Sequence, residues 1–144
     1  MIVQQILKSK ADTGVLTLEP GAKVYEAVAL LSQKRIGTIV VSKGGKSPDG
    51  ILSERDIVRE LGKRGAACLD EPISGLMTAN PICCGRNDSA DKVLEMMTNG
   101  RFRHMPVVED GAMIGLISIG DVVKARLSQL SMEKDALQGM IMGH

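Results

Sequence analysis

The chain has 144 residues and a formal net charge of +1, with 44% hydrophobic and 24% charged residues. These proportions are ordinary for a globular protein, and the charge gives no indication of a nucleic acid or an anionic membrane as partner. Aromatic residues are almost absent, with one Tyr, one Phe and no Trp, which disfavours stacking on single-stranded nucleic acid.

Nothing in the chain indicates secretion or membrane insertion. No apolar run approaches the roughly 20 residues that cross a bilayer. The first residues lack the charged start, apolar stretch and cleavage site of a signal peptide. With three cysteines, at least one thiol is unpaired, so a cytoplasmic location is expected.

The predicted elements form one structural unit in the first half of the chain. Apolar side chains at positions 24, 27, 28 and 31 have the i, i+3, i+4, i+7 spacing that predicts an amphipathic helix. Gly and Asp residues between two short apolar runs predict a hairpin turn. The unit comprises an extended piece, a helix, a strand, a turn, a strand and a helix, over residues 15–18, 22–31, 36–41, 43–49, 50–53 and from Asp56 onward.

The same unit recurs 65 to 66 residues later. Its parts occupy residues 82–84, 90–97, 102–108, 109–112, 115–118 and from Asp121 onward. Pro106 lacks the N–H that a central strand needs, so it favours an edge strand or a strand start. The expected division has a first repeat with an N-terminal lead-in at 1–65 and a linker at 66–76. A second repeat at 77–126 and a C-terminal helical extension at 127–144 follow.

The last helix is predicted to continue well beyond the second repeat, to about Met142. Its apolar stripe is interrupted by Lys134 and consists of Leu127, Leu130, Leu137 and Ile141. A protruding amphipathic helix usually packs on another surface. A second copy of the chain is the expected partner, so we expect a homodimer.

Ser53-x-x-Asp56 and Ser118-x-x-Asp121 place the same pair of polar residues at a strand-to-helix junction in both repeats. One interpretation is a capping box, in which each side chain accepts a hydrogen bond from a backbone N–H. The other is a ligand site, because a helix N-terminus offers N–H donors and a short carboxylate can accept two hydrogen bonds from a ribose diol. Both interpretations remain open at this point.

The two repeats differ in charge at the start of an equivalent strand. The second repeat has Arg103 and His104 where the first has Gly37 and Thr38. Arg offers a fixed fork of donors that suits a phosphate group, while a solvated strand end is the alternative interpretation.

Catalytic and metal-binding patterns are not apparent in the sequence. Cys83 and Cys84 are adjacent on an extended piece, so their side chains point to opposite faces and are expected to be structural thiols rather than a redox pair. No Ser–His–Asp set, Cys–His set or metal-ligand spacing stands out. The chain is therefore expected to be a binding module, not an enzyme, with no metal and no required cofactor.

Three strings together resemble the CBS domain, the cystathionine-β-synthase-type module that occurs in tandem as a Bateman module. They are residues 51–58, 103–108 and 115–123, and the resemblance extends from about Ile6 to Arg126. It is similar to small stand-alone bacterial members of that family. The resemblance implies an α+β fold of two pseudo-symmetric β-α-β-β-α repeats packed through their sheets, here with an extra C-terminal helix.

The resemblance also implies two clefts that each bind the adenosine part of AMP, ADP, ATP, NAD(H) or S-adenosylmethionine. The Asp at the second helix of a repeat would hold the ribose hydroxyls. Carried over by position, the first cleft comprises Ile51, Ser53, Arg55, Asp56, Ile82, Cys83, Arg103 and His104, and the second comprises Leu16, Thr17, Gly37, Thr38, Leu116, Ser118 and Asp121.

The function that this resemblance implies is a regulatory sensor of an adenine nucleotide, which reports its ligand to a partner protein. The first cleft has both cationic candidates and is expected to hold phosphates more strongly. A sensor of S-adenosylmethionine and a dimeric scaffold with vestigial clefts are the alternatives.

Overall fold

The helices and strands follow the predicted order, with one added helix (α1), one added strand (β4) and no regular strand at residues 82–84. The computed structural model describes residues 1–10 and 14–141. The elements are α1 Val3–Ser9, β1 Thr17–Leu18, α2 Val24–Lys34, β2 Thr38–Val41, β3 Gly50–Ser53, α3 Glu54–Arg64, β4 Thr78–Ala79, α4 Ala90–Gly100, β5 His104–Glu109, β6 Ala112–Ser118 and α5 Ile119–Ile141. Two 3₁₀ turns, Ala66–Asp70 and Ile73–Gly75, follow α3.

The equivalent helices α2 and α4 bury most of the predicted apolar face, with Val28 left 37% exposed, and they end in the same way. Each ends at an arginine in the left-handed conformation, Arg35 with φ 53° and Arg101 with φ 56°. The N–H of the next residue then donates back into the helix, from Ile36 in one repeat and from Phe102 in the other. The chain therefore leaves both helices in the same direction, toward the next strand.

The strands of the two repeats are paired in the same way, but the second repeat has a shorter sheet. In the first repeat the order is β1-β2-β3-β4, with β1 parallel to β2 and the other pairs antiparallel. In the second, β5 and β6 are antiparallel. The strand expected at 82–84 is reduced to a single parallel bridge between Cys84 and Val107.

Pro106 accounts for this difference from the sequence-based expectation. In the first repeat the equivalent residue, Val40, donates its N–H to the carbonyl of Leu16 at 3.3 Å. Proline has no N–H, so Pro106 cannot make the bond that would extend the strand.

The N-terminal segment, residues 1–10, packs on the second repeat, although the sequence order groups it with the first as a lead-in. Val3 and Ile6 of α1 are 0% and 1% exposed and belong to the core of the second repeat. The apolar face of this segment is thus buried against the second repeat, where α1 contacts α5 and β6, while the expected boundaries group residues 1–65 together.

Residues 71–80 close the first repeat as the N-terminal segment closes the second. The N–H of Ile73 donates to the carbonyl of Ala22 at 2.8 Å, and the N–H of Val3 donates to the carbonyl of Asp88 at 2.9 Å. These bonds are equivalent in the two repeats. The residues that precede each repeat's first helix are thus held by a segment distant in sequence.

The stretch that the sequence marks as a linker, residues 66–76, also belongs to the first core. Ile73 and Leu76 are buried there together with the apolar face of α2, and Leu69 packs against the same cluster. A connection that contributes these side chains packs as part of the first repeat.

The two repeats meet at equivalent residues. Thr38 begins β2 and His104 begins β5, and the Thr38 Oγ1 atom lies 3.2 Å from Nδ1 of His104. Contact between equivalent residues places them close to the approximate two-fold axis of the pair. The strand starts of both repeats therefore lie between the two clefts.

The C-terminal helix α5 continues far beyond the second core as one helix. Its side chains Leu127, Leu130 and Leu137 are 63%, 48% and 59% exposed. The predicted end of the helix at Met142 lies outside the described residues, as do the remaining residues of the expected extension. No helix within residues 1–10 and 14–141 is both long and apolar enough to span a membrane.

Candidate functional site

The two Ser-x-x-Asp motifs form capping boxes at the starts of α3 and α5. Asp56 accepts from the N–H of Ser53 at 2.9 Å, and Ser53 Oγ accepts from the N–H of Asp56 at 3.2 Å. The corresponding distances for Asp121 and Ser118 are 2.9 and 3.1 Å. The capping interpretation is therefore confirmed, and it fixes each carboxylate beside a helix N-terminus.

Each of these helix starts is tied to the neighbouring strand of its own repeat. The N–H of Glu54 donates to the carbonyl of Gly37 at 2.9 Å, and the N–H of Ile119 donates to the carbonyl of Arg103 at 2.8 Å. The carboxylate and the strand start of one repeat are consequently held at a fixed separation.

A cavity of about 240 Å³ opens between the repeats next to the second of these carboxylates. Residues of the N-terminal segment, the β1 region, β2 and β6 contribute to its wall, so both repeats enclose it. Three of the residues assigned to the second cleft, Leu16, Thr38 and Leu116, are among them. The lining residues are Leu7, Lys10, Gly14, Val15, Leu16, Ile36, Thr38, Ile114, Gly115 and Leu116.

Lys10 is the charged residue in the lining of this cavity, and the sequence-based assignment did not include it. Its Nζ atom lies 2.9 Å from Oδ2 of Asp121 and donates to the carbonyl of Leu116 at 2.7 Å. The side chains of the pair are 28% and 25% exposed. The N-terminal segment thus supplies a cation to the second cleft, although Gly37 and Thr38 at the strand start carry no charge.

Charge and burial act on Asp121 in opposite directions. Burial opposes ionisation, but the N–H of Ser118 and the ammonium of Lys10 outweigh it, so the pKa of Asp121 lies below its ordinary value. The carboxylate is therefore a charged acceptor at neutral pH, aimed at the cavity wall.

The carboxylate of the first repeat has a different partner. Asp56 Oδ1 lies 2.7 Å from Nη2 of Arg59, one turn along the same helix, and the Arg59 side chain is 55% exposed. The position equivalent to Lys10, counted along residues 71–80, is Asn80. The two carboxylates are alike in their caps and unlike in the cation beside them.

His104 lies on the wall between the clefts, not in the first cleft alone. It faces Ser118 across the β5–β6 pair, which brings its ring near residues assigned to the second cleft. Burial lowers the pKa of His104, Asp121 opposes that shift, and Lys10 and Arg103 add to it. The ring also lies 3.2 Å from the Thr38 hydroxyl, so His104 is close to residues assigned to the second cleft, and its assignment to the first cleft stays a prediction.

The remaining residues of the predicted first cleft are only partly gathered. Ser53 and Asp56 lie together at the start of α3, and Ile51 of β3 is half-buried between β2 and β4. Ile82 is 49% exposed. The side chains of Arg55 and Arg103 are exposed to solvent.

Four residues assigned to the second cleft are absent from the lining of its cavity: Asp121 and Ser118 border it through the Lys10 ion pair and the cap, whereas Thr17 and Gly37 lie elsewhere. Thr17 pairs with Val40 in β1, and its hydroxyl lies beside Gly45 of the β2–β3 turn. Gly37 lies against the side chain of Glu54. Strand alternation explains both positions, because adjacent residues face opposite sides of a sheet.

A larger groove, of about 640 Å³, lies between α2 and α3 and includes Gly37. It is formed within the first repeat and is lined mainly by aliphatic side chains, among them Val28, Val58 and Leu61. The smaller cavity is the better candidate for a polar ligand, because a carboxylate, an ammonium and residues of both repeats converge there.

The thiols of Cys83 and Cys84 lie in surroundings that favour their protonated form. Burial raises the pKa of Cys84 to about 12, and burial also raises the pKa of Cys83. The Cys83 thiol is half-buried and donates to the carbonyl of Pro81 at 3.3 Å. A thiol needs its anionic form to act as a nucleophile or ligand, so these environments favour structural roles.

Comparison with known proteins identifies the fold described above. A model of the CBS domain matches residues 4–63 and 73–128. The chain is 32% identical to the CBS domain-containing protein CBSX3, mitochondrial, of Arabidopsis thaliana, over 98% of this chain and 72% of that protein. It is 31% identical to the longer Arabidopsis protein CBSCBSPB2, of which it spans 24%.

Two solved structures show the same arrangement of repeats. The CBS-domain containing protein ATU1752 from Agrobacterium tumefaciens matches with a TM-score of 0.82 and 42% identity, over 88% of this chain and 99% of that chain. A CBS domain protein from Pyrobaculum aerophilum, complexed with AMP, matches with a TM-score of 0.77 and 27% identity, over 92% and 99%. The chain belongs to the CBS domain family and contains two CBS repeats.

Proposed function

We propose that the chain is a non-catalytic sensor of an adenine nucleotide, with AMP, ADP, ATP and NAD(H) as candidates. The observation that carries the proposal is the Asp121 carboxylate, held by its cap beside a cavity that both repeats line. The AMP complex of the Pyrobaculum aerophilum relative supports the same ligand class.

The chemistry of the cavity matches the three parts of a nucleotide. Leu16 and Leu116 supply apolar surface for an adenine ring. Asp121 accepts hydrogen bonds from the ribose hydroxyls, as a charged acceptor with fixed orientation. Lys10 and His104 lie close enough to that carboxylate to meet the phosphate end of the ligand.

The size of the cavity favours a compact ligand. Ligand pockets usually measure about 300–1,000 Å³, and this one measures about 240 Å³ with the Lys10 side chain in its wall. A mononucleotide needs a smaller opening of the cleft than a dinucleotide such as NAD(H). We therefore rank AMP above the longer ligands.

Regulation follows from the position of the ligand between the repeats. A ligand that contacts both repeats stabilises the arrangement that it fits, and a partner protein that recognises that arrangement reads the ligand state. The second cleft replaces the first as the stronger phosphate site in this proposal, because Lys10 and His104 lie beside it.

A homodimer is part of the proposed assembly. The exposed apolar residues of α5 at 123, 127, 130, 137 and 141, together with Lys134, are spaced by four and three residues in alternation. That spacing is typical of a helix that packs along one seam against another helix. A second copy of α5 supplies a matching seam.

Calorimetric titration with AMP, ADP, ATP, NADH and S-adenosylmethionine tests the ligand class. We expect AMP to bind with a Kd well below 1 mM, which corresponds to about −4 kcal/mol. If the chain prefers S-adenosylmethionine over every nucleotide, S-adenosylmethionine becomes the proposed ligand. If none of the five compounds binds, the scaffold alternative is favoured. Asp121→Asn is the matched variant, because it keeps the side-chain size and removes the charge.

A further inference from the structure

We propose that Lys10 determines ligand specificity in the second cleft, by pairing with Asp121 and transferring its ammonium to the phosphate when a nucleotide binds. This inference rests on the proposed function, since it requires that Asp121 accepts the ribose of the ligand. It assigns to the N-terminal segment a direct part in distinguishing a nucleotide from an uncharged nucleoside.

The Lys10 ammonium contacts polar acceptors that a bound ligand would also use. Lys10 Nζ lies 2.9 Å from the Oδ2 atom of Asp121 and donates to the carbonyl of Leu116 at 2.7 Å. Both acceptors line or border the cavity. Oδ2 accepts from both the Lys10 ammonium and the N–H of Ser118, so a ribose diol that engages both carboxylate oxygens of Asp121 must displace the ammonium.

The consequence of that separation depends on the charge of the ligand. An uncharged nucleoside breaks the ion pair and leaves a half-buried ammonium without its carboxylate, which weakens its binding. A nucleotide breaks the same ion pair but brings a phosphate, which accepts charge-assisted hydrogen bonds from the displaced ammonium. The same side chain thus opposes one ligand and favours the other.

The side chain has the length and position for such a transfer. Lys10 follows the last residue of α1, and its ammonium is a point charge on a flexible four-carbon stem. Lys10 and the apolar Leu7 both line the cavity, and a lysine stem can stay on apolar surface while its charged end moves. No rearrangement of α1 is required.

The first cleft lacks the same device. Asn80 occupies the position equivalent to Lys10, and Asp56 is paired with Arg59, whose side chain is 55% exposed. Separating the exposed Arg59 guanidinium from Asp56 costs little free energy, because water then solvates the guanidinium. We therefore expect discrimination between nucleoside and nucleotide to arise in the second cleft.

The test compares AMP with adenosine on Lys10→Met, which keeps the aliphatic stem and removes the charge. Both ligands are titrated calorimetrically into the full chain carrying Asp56→Ala, which weakens the first cleft, with and without Lys10→Met. If Asp56→Ala fails to fold, Asp56→Asn replaces it. Lys8→Met, an exposed lysine in the last turn of the same helix, is the control for lost positive charge.

Opposite changes for the two ligands are expected. Lys10→Met should weaken AMP about tenfold or more, the loss of a hydrogen bond to a charged group. It should strengthen adenosine by about two- to fivefold, the release of a partly exposed ion pair. Lys8→Met should change neither affinity by more than about twofold.

Two other results overturn the inference and are distinguishable from each other. If AMP binds and Lys10→Met shifts both ligands in the same direction, or neither, the nucleotide site stands and the role of Lys10 is refuted. If AMP and adenosine bind to none of the chains, the proposed function itself fails, and the inference fails with it.

Discussion

Replacing Ile6 by Ala tests whether the N-terminal segment is an integral part of the second repeat. Ile6 is 1% exposed and packs among the buried residues of the second core. The change removes three buried carbon atoms, worth about 2.4 kcal/mol at about 0.8 kcal/mol each. The residual void adds to this, so we expect the free energy of unfolding to fall by about 3–4 kcal/mol.

Urea unfolding followed by circular dichroism measures this loss, with Lys8→Ala as the control on the exposed face of the same helix. Lys8→Ala should change the stability by less than about 0.5 kcal/mol. The same N-terminal segment carries Leu7 and Lys10 to the cavity, so Ile6→Ala should also weaken AMP binding. A loss of less than about 1 kcal/mol from Ile6→Ala would refute the packing of α1 on the second core.

Three further results are expected. Burial favours neutral His104 in the folded chain, so near the ordinary histidine pKa of about 6.5 and below it the unfolded chain binds more protons. The free energy of unfolding should therefore fall as the pH drops from about 7.5 to about 5.5. His104→Gln should flatten that slope in urea titrations, and an unchanged slope would contradict the expectation. Leu127→Glu with Leu130→Glu should shift the chain from dimer to monomer in analytical ultracentrifugation with little loss of stability, since both side chains are exposed; a monomeric unmodified chain would refute the seam. Cys84 should resist iodoacetamide in the folded protein and react after unfolding, as mass spectrometry of the labelled peptides can show, and rapid native labelling would contradict its burial.

Periodicity and local motifs were sufficient to predict the repeated elements. The apolar spacing of α2 and α4 is a property of residues close in sequence, and so is each Ser-x-x-Asp cap. Such features depend on short-range geometry, which the sequence specifies directly. The two-repeat architecture followed from their recurrence.

Closure of each repeat by a distant segment could not be predicted in this way. Residues 1–10 and 71–80 occupy equivalent places, yet the resemblance between them lies in backbone bonds and not in matching side chains. The loss of the regular strand at residues 82–84 was not predicted for a related reason. The effect of a missing N–H depends on which neighbouring carbonyl it would have met.

A signal for Lys10 was nevertheless present in the sequence. Positions 3, 6, 7 and 10 have the spacing of one helix face, and the first three are apolar. A lysine that continues a buried stripe needs a partner for its charge. The identity of that partner, Asp121, depends on the tertiary fold, so the sequence indicates an unusual lysine without locating the ion pair.

A crystal structure of the protein with AMP is the most direct test of a nucleotide site between the repeats. The account predicts the adenine between Leu16 and Leu116, the ribose hydroxyls on Asp121, and the Lys10 ammonium moved to the phosphate. AMP bound in the groove between α2 and α3, or a cavity that still holds the Lys10–Asp121 ion pair at saturating AMP, would contradict it.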